Sequence, residues 1–308
     1  IETFDLKEYD LILSSSHCVA KSVKTSPNSL HICYCHTPMR YIWDQFDQYF
    51  GRENSNGLIT NAMKLVRPWL KRWDVRTSRR VNHFIANSRH VQKRIKKYYN
   101  QEATIIHPPV DTGMFTPDKN EGKEDYFLIV SAFAPYKRLD LAVDAFNQLN
   151  LPFFVIGEGQ DAKRLKEMAK PNIHFEGWLD NSQIRSHFAR CRAFIFCGEE
   201  DFGITLLEAQ AMGRPVIAFG RGGALETVVP DSQSWKSETG IDKSATSQPT
   251  GVFFYEQTPE ALIKAIQHFE SIESQFDSAA IRTHAQKFDV SIYTEIMKTF
   301  IDEKIKRR

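Results

Sequence analysis

The sequence has no apolar run that approaches the length of a transmembrane helix, and no stretch resembles a signal peptide. Its cysteines number only five, scattered over strand-like stretches, which excludes a dense disulfide framework. The sequence has 40 basic and 38 acidic residues, so its net charge of +2 does not indicate a nucleic-acid partner. These absences predict a cytoplasmic globular protein with reduced thiols.

The 308 residues are enough for two domains of ordinary size, and 42% of them are hydrophobic. Short apolar runs alternate with helix-forming segments along the chain, which predicts an α/β fold with parallel sheets. Pro108 and Pro109 follow the apolar strand that begins at residue 103 and stiffen the backbone as an interdomain linker would. We expect domains at 1–108 and 109–287, followed by a C-terminal helix over 288–308.

Residues 193–228 have the clearest organisation, reading as strand, loop, helix, strand, loop and helix. In an open parallel sheet, ligands bind beyond the carboxyl ends of the strands, where helix N-termini present unpaired amides to an anion. The elements are AFIFC (193–197), loop GEEDFG, a helix over 204–212 that stops at Gly213, VIAF (216–219), loop GRGG and a helix from Ala224.

Two glutamates, Glu200 and Glu208, flank the start of the helix at 204. Carboxylates repel a bound anion, so we expect these two to accept hydrogen bonds from ligand hydroxyls instead. The alternative is that Glu200 is a solvated loop residue and Glu208 a surface residue of the helix.

The segment E-D-F-G-I-T-L-L-E (200–208) resembles the E-x7-E signature of retaining glycosyltransferase family 4. G-R-P-V-I-A-F-G-R-G-G-A-L-E-T-V (213–228) resembles the same family further along. The resemblance implies a GT-B fold, in which two Rossmann-like domains face a cleft. Members of this family carry further βα units before a strand like the one at residue 9, so we expect the N-terminal domain to be incomplete.

The resemblance also implies roles for individual residues. Glu208 would hold ribose hydroxyls, and Glu200 would hold the donor sugar ring together with the amides around Phe202 and Gly203. The helix N-terminus at Ile204 and Thr205 would stabilise the diphosphate.

S-A-F-A-P-Y-K-R-L (131–139) resembles the diphosphate-binding loop of the family, which supplies two cations. Lys137 matches one of them. The other is typically an arginine at the position of Ala132, so this chain departs from the pattern. The neighbouring Arg138 is the candidate substitute, although its side chain should point differently.

Three further positions complete the expected site. C-Y-C-H-T-P-M-R-Y (33–41) resembles the loop in which a histidine faces the donor sugar, making His36 the acceptor-side catalytic candidate; the alternative is a histidine satisfied by backbone hydrogen bonds. Gly157 and Gly177 end two strands near the expected nucleotide. We expect Trp178 to be a core residue, with a position beside the nucleotide base as the alternative.

Residues 64–97 contain twelve lysines or arginines but one acid, Asp74. We expect a long helix here, interrupted near Pro68. A basic surface with tryptophans is typical of peripheral docking to an anionic bilayer. It could also contact a lipid-diphosphate acceptor or be a solvated helix face, whereas the sequence has no nucleic-acid-binding motif.

The resemblance implies a retaining hexosyltransferase of the bacterial O-antigen and exopolysaccharide branch, with GDP-mannose as the leading donor and a glycan or lipid-linked acceptor. It implies no metal and no cofactor other than the nucleotide diphosphate sugar itself, which is the donor substrate. The alternatives are a GT-B nucleotide-sugar epimerase and a non-catalytic nucleotide-sugar-binding subunit. We expect a cytoplasmic protein, with peripheral contact to the inner face of the plasma membrane.

Overall fold

A computed structural model describes residues 1–51, 56–117, 122–234 and 248–307. Contacts divide the chain into two units. The first comprises Ile1–His107 together with Thr294–Arg308, and the second comprises Pro108–Tyr293. Each unit contains a parallel sheet with helices packed on it, which confirms the predicted α/β class with two Rossmann-like sheets.

Among the described residues of the first unit, four strands pair in chain order, all parallel. The second strand, LHICYC, is buried along its whole length, as a central parallel strand requires. The strands are β1 (Leu11–Ser16), β2 (Leu30–Cys35), β3 (His83–Ala86) and β4 (Ala103–Ile105), and the helices are α1 (Arg40–Trp43), α2 (Phe46–Phe50), α3 (Gly57–Ser78) and α4 (Arg89–Tyr99).

In the part of the second unit that the structure describes, six parallel strands form one sheet. The strands are β5 (Phe127–Val130), β6 (Phe153–Ile156), β7 (Ile173–Gly177), β8 (Ala193–Phe196), β9 (Val216–Phe219) and β10 (Gly251–Phe254). The helices are α5 (Leu139–Leu149), α6 (Ala162–Met168), α7 (Asn181–Arg190), α8 (Ile204–Ala211), α9 (Ala224–Thr227), α10 (Pro259–Ile272) and α11 (Ser278–Gln286). The C-terminal α12 (Val290–Lys306) begins in this unit and belongs to the first unit from Thr294 onward.

The strand order β10-β9-β8-β5-β6-β7 places β8 directly beside β5. From this pair the chain proceeds outward in both directions, through β6 and β7 on one side and β9 and β10 on the other. The β5–β8 boundary is therefore the topological switch point of the sheet, where the loops diverge and leave room for a ligand.

Helix α3 runs without interruption through Pro68, so the predicted break is wrong. Proline removes one backbone donor, which would serve the carbonyl of Lys64. Lys64 and Pro68 are both exposed, so water can satisfy that carbonyl and the helix continues. Among the described helices, none has both the length and the apolar content needed to cross a bilayer.

Candidate active site

Two loops meet at the switch point of the second sheet. The loop after β5 contains the 3₁₀ turn Pro135–Lys137, and the loop after β8 contains Gly198 and Glu200. A Cβ atom at Gly198 would lie 3.2 Å from both the Cα of Lys137 and the carbonyl oxygen of Tyr136. Glycine at this position therefore permits the close approach of the two loops.

Lys137 and Glu200 form an ion pair across these loops. Their side chains are only 21% and 13% exposed, respectively, so solvent screens the pair less than it would a surface pair. The Lys137 ammonium also lies 5.3 Å from the centre of the Tyr136 ring. The strand order thus brings together one cation and one carboxylate of the predicted site.

The glycine loop after β9 positions the backbone of the loop after β8. The amide of Gly223 donates to the carbonyl of Glu200 at 2.8 Å. A Cβ at Gly222 would lie 2.2 Å from that same carbonyl oxygen, and a Cβ at Gly223 would lie 2.1 Å from the Cα of Phe202. The sequence analysis did not predict that these two glycines position residues 200–202. The Gly-Gly doublet is the sequence feature from which this role could have been predicted.

Phe202 itself is buried in the core of the second unit, with its ring 6.0 Å from that of Phe288. Its side chain is therefore part of the core, which leaves only its backbone for the predicted contact with a ligand. Gly203 follows in the left-handed conformation, with φ of 86°, and caps α8. The amides of Ile204 and Thr205 come before the first intrahelical hydrogen bonds and are available to an anion.

Glu208 lies one turn into α8. Burial raises the pKa of its carboxyl from the ordinary 4.5 to about 7. In the described parts of the chain, no side chain forms a hydrogen bond or ion pair with this carboxylate. A half-buried carboxyl with a raised pKa and no side-chain partner among the described residues is typical of a ligand-binding group, because folding alone does not compensate its desolvation.

We therefore expect Glu208→Gln to stabilise the protein above pH 7. Since the native pKa is raised, the native state holds more protons than the unfolded chain between pH 4.5 and about 7, and the free energy of unfolding falls as the pH rises through that window. The loss amounts to about 3 kcal/mol, and glutamine avoids it. Urea unfolding at pH 4.5 and pH 8 measures this. The free energy of unfolding of Glu208→Gln should exceed that of the wild type at pH 8 only.

The control for this experiment is Glu167→Gln, which changes an exposed glutamate of α6. Glu167→Gln should change the free energy of unfolding little, and by a similar amount at pH 4.5 and at pH 8. An equal effect of Glu208→Gln at both pH values would contradict the assignment of a raised native pKa.

Gly157 and Gly177 lie together at the ends of β6 and β7, where the amide of Gly157 donates to the carbonyl of Gly177 at 2.8 Å. A Cβ at Gly157, with φ of 133°, would lie 1.9 Å from the carbonyl oxygen of Ser131. The adjacent Trp178 is 72% exposed, so the expectation that it is a core residue is wrong. Its ring is accessible beside the carboxyl end of β7.

The two cation candidates of the β5 loop diverge. Arg138 adopts the left-handed conformation, with φ of 55°, and its Nε lies 3.2 Å from the carboxylate of Asp140. Lys137 instead turns toward Glu200. The structure therefore brings Lys137, and not Arg138, against the predicted sugar-binding carboxylate.

In the first unit, His36 follows the carboxyl end of β2. Its Nε2 lies 2.8 Å from the hydroxyl of Ser15, and its ring is 5.2 Å from that of Tyr34 in an edge-on arrangement. Its amide donates to the carbonyl of Ser16 at 2.8 Å. Within the described ranges, no group of three His, Cys, Asp or Glu side chains could hold a metal ion.

Glycine-rich loops and a helix N-terminus at the switch point of a parallel sheet are typical of nucleotide-binding α/β proteins. Comparison with family models makes the class specific. The model "Glycosyl transferases group 1" matches residues 114–287, more than half of the chain, and "Glycosyltransferase Family 4" matches residues 2–113. The chain belongs to the group 1 glycosyltransferases, which confirms the resemblance seen in the sequence.

Two curated relatives are mannosyltransferases by name. The O-antigen chain mannosyltransferase C of Escherichia coli is 32% identical over 102 residues, covering 31% of this chain and 28% of the relative. The GDP-mannose-dependent monoacylated alpha-(1-6)-phosphatidylinositol monomannoside mannosyltransferase of Corynebacterium glutamicum is 28% identical over 186 residues, covering 51% and 49%. The chain thus spans about half or less of the length of these relatives.

Among solved structures, Anabaena HepE in complex with UDP superposes with a TM-score of 0.63 at 16% identity. The match covers 88% of this chain and 79% of that one. At this identity the likeness shows the fold alone, and that fold is GT-B.

Proposed function

We propose that this chain is a retaining hexosyltransferase that moves a mannosyl group from GDP-mannose to a glycan or lipid-linked acceptor in surface polysaccharide synthesis. The observation that carries the proposal is the Lys137–Glu200 pair beside the N-terminus of α8, at the switch point of the second sheet. The names of the two relatives support the mannosyl donor and the surface polysaccharide.

The reaction breaks the bond between the anomeric carbon and the β-phosphate oxygen, so negative charge grows on that phosphate. The Lys137 ammonium and the first amides of α8 act on this charge, because the oriented N–H groups need no reorganisation as it develops. A phosphate at Lys137 competes with the Glu200 carboxylate for the same ammonium. Donor binding consequently exchanges one ion pair for another.

The two glutamates take the hydroxyl-rich parts of the donor. Glu208 accepts from ribose hydroxyls, which supply the hydrogen bonds that its half-buried carboxylate does not receive from the described side chains. Once released from Lys137, Glu200 accepts from hydroxyls of the sugar ring. Gly157 and Gly177 allow the nucleotide to approach the backbone closely, and the exposed Trp178 offers its ring to the base.

The anomeric configuration is retained if the acceptor hydroxyl attacks the same face of the sugar from which the diphosphate leaves. The hydroxyl oxygen bonds to the anomeric carbon, and its proton passes to the departing phosphate oxygen. We propose that His36, in the first unit, acts on the acceptor side of this step.

Product analysis tests the proposal. The protein is incubated with labelled GDP-mannose, with other nucleotide sugars and with a lipid-linked acceptor, and the anomeric configuration of the product is read by NMR. We expect a glycoside that keeps the configuration of the donor. An altered nucleotide sugar without an acceptor product would identify an epimerase, and unchanged donor would identify a binding subunit.

We further propose that the basic segment 64–97 docks the protein on the inner face of the plasma membrane. One line along α3 carries Leu58, Leu65 and Trp69, exposed by 79%, 82% and 62%, and then Arg72 and Arg76. These five positions fall within one narrow sector of the helix. An exposed apolar stripe that continues into arginines is typical of a helix lying in a lipid interface.

Trp69→Ser should reduce binding to vesicles of phosphatidylcholine and phosphatidylglycerol several-fold in sedimentation assays, because the indole contributes apolar contact at the interface. Trp178→Ser is the matched control, since Trp178 is similarly exposed but belongs to the second unit. Equal binding of the wild type and both variants would exclude α3 as the docking element.

A further inference from the structure

A groove of about 380 Å³ lies in the first unit, between α1 and the second half of α3. Its walls are Trp43, Lys71, Arg72, Val75, Arg76 and Arg79. Four of these six side chains are cationic and none is anionic. The groove combines an apolar wall with a concentrated positive potential, which attracts anions.

The cations of this groove have an acidic neighbour, Glu2, which interacts with Arg76 without forming an ion pair with it. In the described residues, no carboxylate forms an ion pair with any of its four cations. Glu2 pairs with Arg80, and Arg76 only adds to the positive field that lowers the pKa of Glu2. The acid closest in sequence, Asp74, is buried and is paired with Lys21 at 2.6 Å.

The spacing of the cations is unfavourable for the helix alone. Arg72, Arg76 and Arg79 repeat at intervals of four and three residues, where like charges on a helix repel. The C-terminal end of a helix attracts cations, which accounts for Arg76 and Arg79. It does not account for Lys71, which lies earlier in α3 with its ammonium 4.9 Å from the Trp43 ring. Burial and the nearby charge of Arg67 lower the pKa of Lys71, as expected for a cation without a counterion.

The apolar wall of the groove is fixed in position. The indole Nε1 of Trp43 donates to Asp74 at 2.8 Å, and the ring stacks on Tyr98 with centroids 4.5 Å apart. Tyr99 donates to the same carboxylate at 2.9 Å. A wall held this way needs little ordering when a ligand binds.

We propose that this groove binds a phosphate group, as a phosphomonoester or diphosphate, through Lys71, Arg72 and Arg76. The planar guanidinium groups match phosphate oxygens in pairs, and the ammonium supplies a third contact. The part of the ligand next to the phosphate lies against Trp43 and Val75. The same chemistry is offered by a soluble phosphorylated compound and by a lipid headgroup. This binding uses only residues of the first unit and does not rest on the proposed transfer reaction.

Inorganic pyrophosphate is the probe, titrated calorimetrically into the Lys137→Ala protein so that the diphosphate site proposed for the second unit contributes less to the signal. We expect measurable binding, weakened at least tenfold by the added pair Arg72→Gln/Arg76→Gln. The control pair Lys93→Gln/Lys96→Gln removes two exposed charges from α4 and should change affinity less than twofold. Absence of binding, or an equal loss with both pairs, would overturn the proposal.

Because Arg72 and Arg76 are exposed, their replacement should leave the protein folded, which the melting temperature checks. Vesicles then separate the two sources of phosphate. Phosphatidylcholine vesicles carrying phosphatidic acid or phosphatidylglycerol are compared at equal surface charge. A preference for phosphatidic acid that the arginine pair abolishes supports the groove as a site for a lipid phosphomonoester. Pyrophosphate binding without that preference supports the groove as a site for a soluble phosphate compound.

Discussion

Glu200→Ala is expected to abolish transfer, with a loss in kcat of about 100-fold or more. In the proposed reaction, positive charge grows on the sugar ring as the anomeric bond breaks, and a carboxylate held against the ring stabilises it. The backbone of residue 200 is held by Gly222 and Gly223 independently of its side chain, so the loop should keep its shape. Turnover is measured with saturating donor and acceptor.

Two further variants separate the role of Glu200 from a general effect of charge. Glu199→Gln removes the adjacent acid and should leave kcat within a few-fold of the wild type. Glu200→Gln should lose transfer but bind nucleoside diphosphate as tightly as the wild type or more so, because Lys137 no longer has a carboxylate partner. Normal turnover of Glu200→Ala would remove the proposed sugar-binding role.

The elements of the second unit were largely predictable from local patterns. AFIFC, VIAF and the helix that starts at residue 204 are short segments whose composition specifies their structure without distant contacts. The short strand Gly251–Phe254 was not predicted, because the long polar stretch before it has the composition of a surface loop. This segment is a strand because it pairs with β9 in the sheet.

The ion pair at the site could not be predicted in the same way. Lys137 and Glu200 were each identified from the sequence, but their contact depends on β5 lying beside β8, which is a property of the strand order. The exposure of Trp178 depends likewise on what covers β7, and composition favours a tryptophan in the core. The helix break predicted at Pro68 was wrong because the effect of a proline on a helix depends on solvent access to one carbonyl.

The absence of an arginine at Ala132 concentrates the predicted phosphate contact on Lys137. The nearby Arg138 is engaged with Asp140, so we expect Arg138→Ala to weaken diphosphate binding less than Lys137→Ala does. In the proposed complex, the amides of Ile204 and Thr205 would supply the remaining contacts with the diphosphate. This division makes Lys137 the most informative single position for the binding of the donor.

Lys137→Ala is expected to weaken GDP-mannose binding by about 10- to 150-fold, or roughly 1.5–3 kcal/mol, as for loss of a charge-assisted hydrogen bond to phosphate. Lys163→Ala, which removes an exposed lysine of α6, is the matched control and should leave affinity unchanged. Melting temperatures check that both variants fold, since Lys137→Ala also removes the ammonium that pairs with Glu200.

The central claim is that the loops after β5 and β8 form a cradle for a sugar-bearing diphosphate. Calorimetric titration of GDP-mannose into the wild type and Lys137→Ala tests it most directly. The account predicts saturable binding to the wild type and a loss of at least about tenfold in the variant. Equal affinity of the two proteins, with both folded, would contradict it.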